Sequence, residues 1–283
     1  MFPNKFHLCN AFGIPVYLDF SLVILLLLFA TGGGSFVSSL ACALMLLLSI
    51  TAHELGHALT ARAFGYGTRD ITLSLLGGCA SLIALPRKAW QEFLTAIAGP
   101  AVSFVLSLLG MVSMMLMSES GFGDVAGYVL GNVLGSFGIQ VDFGSTIFVA
   151  QSWIFATELM LYLSVMNMML GFFNLLPGFP LDGGRVFRST MRAFMPRARA
   201  TYIAMVVGRV FAVLLALRGL HSIMSHGSWG FISILIAWMI WREGWREYQM
   251  ALAEESWGRW DYSARVSPPP YGGDDDEAEV RRR

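Results

Sequence analysis

Two imidazoles and a carboxylate stand within five residues of one another in His53-Glu54-Leu55-Gly56-His57. On a helix, positions four apart share a face, so His53 and His57 can grip one zinc ion while Glu54 stands beside the attacking water. Each residue type has a reason. Neutral imidazoles hold the metal, and the carboxylate serves as general base and then as proton donor. A chance match is the bland alternative. It is weakened by the setting, because the string lies in an apolar run where two His and a Glu are costly unless used.

Two histidines leave such a site incomplete. The best third ligand comes about 125 residues later, at Asp182 in Asn174-Leu175-Leu176-Pro177-Gly178-Phe179-Pro180-Leu181-Asp182-Gly183-Gly184-Arg185. The prolines end a helix there, and the paired glycines let backbone approach closely. His57 precedes Arg62 by five residues, roughly 7.5 Å of helix, and Asp182 precedes Arg185 by three. Both motifs therefore sit at similar depth, just inside one membrane boundary. Two His and one carboxylate would leave a fourth position open, as hydrolysis needs. The other role open to Asp182 is N-cap of the following helix.

The elements that must position these groups are membrane elements. Of 283 residues 55% are hydrophobic and 13% charged, against about 25% charged in an average soluble domain. Mean hydropathy is +0.61. Six apolar stretches approach the roughly 20 residues that a span requires: near 17–32, 36–63, 91–117, 146–173, 182–220 and 229–252. The fifth is interrupted at Pro196, which predicts a short helix followed by a full span. Residues 6–17 and 70–85 look extended, and at membrane depth such backbone must line protein or a wet cavity. The expected fold is thus an all-α polytopic membrane protein of about six transmembrane helices, with short extended or re-entrant segments near the cytoplasmic face.

Lys and Arg are absent between Lys5 and Arg62, between Lys88 and Arg185, and between Arg218 and Arg242. The positive-inside rule then puts both termini, residues 62–90 and residues 174–200 in the cytoplasm, which agrees with six spans in a cell membrane. The N-terminal apolar run lacks a cleavage site and reads as retained. Residues 1–253 form the expected membrane domain. Residues 254–283, with Ser267-Pro268-Pro269-Pro270 and an acidic run, read as a disordered tail. Zero net charge points to no nucleic-acid partner. Cys9, Cys42 and Cys79 show no CxxC spacing and read as small apolar residues.

Several pieces together resemble the site-2 protease family of intramembrane zinc metalloproteases: Gly13-Ile14-Pro15-Val16, Thr51 through Ala58, Gly77-Gly78-Cys79-Ala80, Ala98-Gly99-Pro100 and Asn174 through Arg185. The resemblance covers nearly the whole membrane part. It implies that His53, His57 and Asp182 ligate one Zn2+ per chain, that Glu54 is the catalytic acid/base, and that Asn174 holds substrate or oxyanion. It also implies membrane-spanning protein substrates, cut near the cytoplasmic side in regulated intramembrane proteolysis. Ser103 stands where the family often carries Asn, which puts a polar role at that position in doubt. No PDZ or nucleotide-sensing segment is visible.

Other strings carry less. Gly121-Phe122-Gly123-Asp124 matches the GxGD of aspartyl membrane proteases but lacks a partner aspartate in a preceding span, so a turn is expected. Glu158 and Arg209 are expected to face the bundle interior, and Asn167 to line a path to the site. Trp229, Trp238, Trp241, Trp245 and Tyr248 fit an interfacial belt. Two rival functions remain: a metal transporter, which needs ligands spread through the membrane depth, and an inactive relative, which would lack part of the motif set.

Overall fold

A computed structural model of the chain describes residues 5–20, 22–23, 36–74, 77–83, 86, 88–136, 139, 141, 143, 147, 151–226 and 230–266. The expected first span near 17–32 and the tail beyond 266 lie mostly or wholly outside the described residues. The elements run β1 (Lys5–Ala11), β2 (Ile14–Asp19), α1 (Phe36–Ala63), β3 (Thr68–Ser74), β4 (Gly77–Leu82), α2 (Ala89–Met117), α3 (Phe122–Ser136), α4 (Ile154–Asn174), α5 (Asp182–Met191), α6 (Arg197–His226) and α7 (Gly230–Val266). Four of these, α1, α2, α4 and the Arg197–Ser225 part of α6, are long and apolar enough to cross a membrane.

The two extended stretches prove to be strands of one four-stranded sheet ordered β1-β2-β3-β4. The all-α expectation is corrected accordingly: the protein is mostly helical with a small sheet. Phe12 and Gly13 both adopt positive φ, 52° and 78°, and so close a two-residue hairpin between the antiparallel strands β1 and β2. β2 lies parallel to β3, with Val16 opposite Ile71 and Leu18 opposite Leu73. β3 pairs antiparallel with β4, which is the other edge of the sheet.

Alternation decides which face is covered. Ile14, Val16, Ile71 and Leu73 point one way and bury against Ile50 and Ala58 of α1. A second cluster joins Met111 and Met114 of α2 to Val125 and Val129 of α3, with Met160 and Leu161 of α4 against it. Asn167 of α4 is fully buried and donates to Ser49 Oγ at 2.8 Å and to the Leu163 carbonyl at 2.9 Å. It is thus a tie between α4 and α1, one turn before His53, rather than the lining of a path.

Two other local expectations change. Asp124 is not in a free turn: it sits in the first turn of α3, where its Oδ2 accepts from the Gly121 N–H at 3.3 Å, a capping role. Glu158 is exposed, not interior. It lies one turn from the start of α4, close enough to a helix end for its carboxylate to reach water.

Packing divides the described chain into two compact units, one holding the sheet and α1–α5 and the other holding α6 and α7. The break after α5 matches the interruption expected at Pro196. In the second unit α6 and α7 form a hairpin. Arg197 pairs with Glu254 at 2.9 Å and the Ala198 N–H donates to Glu255 Oε1 at 2.7 Å, so α7 stays helical past residue 253.

Candidate metal centre

His53, Glu54 and His57 occupy the last three turns of α1 and are buried at 2%, 7% and 4% relative exposure. The two rings meet edge to face with centroids 5.0 Å apart. Asp182 reaches them from the first residue of α5. The helix before it, α4, stops at Asn174 ahead of Pro177 and Pro180. The chain then turns so tightly that a side chain on Gly183 would run into the Leu175 carbonyl. This turn delivers Asp182 Oδ2 to within 3.1 Å of His53 Nε2 and 3.0 Å of His57 Nε2. The carboxylate is directed at the imidazoles, as the ligand role for Asp182 requires.

The far side of each ring is also held. His57 Nδ1 donates to the main-chain carbonyl of Thr95 at 2.7 Å, and His53 Nδ1 lies 2.9 Å from Ser103 Oγ. A carbonyl can only accept, so the His57 proton sits on Nδ1 and its Nε2 lone pair faces the Asp182 carboxylate. Buried lone pairs at that separation repel each other unless a cation lies between them. A proton on each Nε2 could bridge both rings to Asp182 only by making His57 a buried imidazolium, whereas a metal ion satisfies all three donors with both rings neutral; the donor atoms lie within 4.8 Å of one another. Ligands about 2.0–2.1 Å from a tetrahedral zinc stand roughly 3.3 Å apart, close to the separations seen here. The residues fit zinc.

Two glycines make room for this arrangement. A Cβ on Gly99 of α2 would collide with His57 Nε2 and would lie 2.7 Å from His53 Nε2. A Cβ on Gly78 of β4 would collide with the Glu54 side chain, so the edge strand presses its bare backbone against that carboxylate. The α2–α5 contact is fixed by a buried ion pair in which Arg188 Nε and Nη2 donate to Glu92 Oε1 at 2.8 and 2.6 Å.

A model of peptidase family M50 matches residues 41–215, a span that includes His53, Glu54, His57 and Asp182 and more than half of the chain. The chain belongs to peptidase family M50. Among M50-like relatives, a Synechocystis protein provisionally named a zinc metalloprotease is 32% identical over 254 residues, 84% of this chain and 58% of that protein. A zinc metalloprotease of Methanocaldococcus jannaschii is 30% identical over 219 residues, covering 76% of this chain and 54% of its own. The chain thus spans little more than half the length of these curated relatives. A solved site-2 protease from Methanocaldococcus jannaschii superposes with a TM-score of 0.57 at 25% identity, over 86% of this chain and 95% of that one. As an M50 protein it is an integral membrane protein with a zinc cofactor, consistent with its apolar helices and its three-donor cluster.

Of the residues singled out in the sequence, the M50 fold gathers His53, Glu54, His57 and Asp182. Asn174 is the last residue of α4 and lies outside the three-donor cluster, with its amide nitrogen donating to the Leu170 carbonyl at 3.0 Å. Ser103, whose polar role stood in doubt, contacts His53 directly. Thr95 and the Arg188–Glu92 pair were not anticipated at all. A faint trace of Thr95 and Ser103 exists in the sequence: with Gly99 they are spaced four apart, so small residues line one stripe of α2.

Proposed function

We propose that this protein is an intramembrane zinc endopeptidase that hydrolyses peptide bonds in or near the transmembrane segments of membrane proteins, in regulated intramembrane proteolysis. The supporting observation is the buried convergence of His53, His57 and Asp182 next to Glu54, with an edge strand against that glutamate. On this reading His53, His57 and Asp182 are the ligands and Glu54 is the catalytic residue, all within a domain formed by residues 1–253. Six spans carry both termini on the cytoplasmic side.

Zinc in this site supplies Lewis acidity, polarising the scissile carbonyl and lowering the pKa of water towards about 7. The protein supplies the rest. Thr95 and Ser103 fix the ring orientations, so each Nε2 faces the centre. Glu54 takes a proton from the attacking water and returns it to the leaving amine. The main chain of β4 offers pairing groups to a substrate segment that has left its helix, placing that segment alongside Glu54. Asn174 steadies the substrate backbone from the end of α4.

A transporter would need donors at several depths. Among the described residues a single His/Cys/Asp/Glu cluster of this kind is found, which favours catalysis. The deciding experiment reconstitutes the full chain with a labelled single-span substrate and compares it with Glu54→Gln. The variant is expected to keep its zinc and lose cleavage. Cleavage that persists in the variant rules out Glu54 as the acid/base.

A further inference from the structure

One cluster plays no part in this chemistry. On α7, Trp238, Trp241, Arg242, Trp245 and Arg246 recur at spacings of three and four, so they share a face. Arg209 of α6 reaches into that face. Its Cζ lies 4.5 Å from the Trp241 ring centre and 5.5 Å from that of Trp245, while Arg242 Cζ lies 4.8 Å from Trp238. These six residues line a cleft of about 460 Å³.

We propose that this cleft binds the phosphate headgroup of an anionic phospholipid. Charge is the first argument. The residues that line the cleft include three arginines and no carboxylate, so its field is positive; Glu243 beside it is engaged by Arg246 at 3.0 Å and by Arg242 only at 3.9 Å. Arg209 Nε is buried with no hydrogen-bond partner and, among the described residues, Arg209 makes no ion pair. A planar guanidinium with unmet donors suits a phosphate oxygen. A zwitterionic headgroup suits the cleft less well, since its ammonium would enter a positive field and each tryptophan already carries a guanidinium over its ring.

Length is the second argument, and it selects a lipid over a free phosphate. From the cluster, exposed apolar side chains continue along both helices: Val213 and Leu217 on α6, Leu235 and Phe231 on α7. The helices approach again where Gly219 meets Gly230. Ten residues separate Arg209 from Gly219, about 15 Å of helix, which is half the roughly 30 Å hydrocarbon thickness of a bilayer. An acyl chain of one leaflet fits that track. The headgroup end of the hairpin is the end bearing Arg197 and Glu254, where exposed tryptophans suit the membrane interface.

The test is native mass spectrometry of the full chain released from bilayers of equal phosphatidylglycerol and phosphatidylcholine. The wild type is expected to retain phosphatidylglycerol preferentially. Arg242→Gln/Arg246→Gln should lower that preference by about fivefold per arginine removed, with its thermal midpoint unchanged because both side chains are exposed. Arg209→Gln should lower it too, and Arg209→Lys, which keeps the charge but not the planar fork, should restore only part of it. Equal retention of the two lipids by the wild type overturns the proposal, as does a preference that survives in the double variant. Displacement of the lipid by inorganic phosphate at comparable concentration also overturns it, since the acyl track would then contribute nothing.

Discussion

Ser103 Oγ lies 2.9 Å from His53 Nδ1, so a side chain on α2 holds a ring on α1 whose other nitrogen faces Asp182. His57 has a main-chain partner in the same role, and substitution of Thr95 cannot remove it. The asymmetry makes Ser103 the informative position. Ser103→Ala should lower zinc affinity by about 10–100-fold, the usual consequence of losing such a partner. Thr95→Ser should leave affinity unchanged. Competition with a chromophoric chelator measures both.

Gly99→Ala drives a methyl group into His57 Nε2, with His53 Nε2 2.7 Å away. Zinc content and cleavage should fall together, because the displaced atoms are the donors themselves. Gly78→Ala crowds Glu54 instead. It should keep zinc and lose activity. Metal analysis beside a cleavage assay separates the two outcomes.

Arg188 and Glu92 are buried to 2% and 3% side-chain exposure, and breaking such a pair leaves one charge without compensation. Glu92→Gln or Arg188→Met should each destabilise the protein by about 3–5 kcal/mol. The double variant Glu92→Leu/Arg188→Met should be less damaged than either single change. Thermal unfolding in one detergent provides the cycle.

Asp70 offers a pH-dependent check away from the metal. Burial pushes its carboxyl up, but hydrogen bonds from Arg69 and Ser81 and the charges of Arg69 and Lys5 outweigh that and hold it below its ordinary 3.8. A depressed carboxylate contributes stability above its unfolded value, and that contribution is lost as pH falls through the lower folded value. Asp70→Asn should therefore lower the thermal midpoint at pH 7. The gap from wild type should close as both are acidified below 3.8.

The sequence revealed the chemistry sooner than the architecture that supports it. The His53–His57 spacing and Asp182 were legible because apolar surroundings make every ionisable residue conspicuous. The interruption at Pro196 was legible because proline has no N–H to donate. The sheet was harder. Its strands are short, and β2 pairs with β3 across the whole of α1, a partnership that no local pattern encodes. Glu92 and Arg188 stand 96 positions apart, and nothing near either one marks the other. Asp124 differs from the turn expected of it because Gly121 and Gly123 just before it suggest a loop, whereas its carboxylate starts a helix.

The bare backbone of Gly78 beside Glu54 has one more implication for how the proposed enzyme would choose among substrates. A sheet edge recognises amide and carbonyl groups, and these are the same in every polypeptide. Discrimination at that edge must therefore rest on availability, meaning how often a given segment abandons its helix long enough to be paired. Selectivity then becomes a matter of folding thermodynamics in the partner: a span rich in Leu hides its main chain, while one interrupted by Gly, Pro or Asn lends it out. Two membrane proteins with the same residues around the scissile bond would be cut at different rates whenever their helices differ in the ease of local opening.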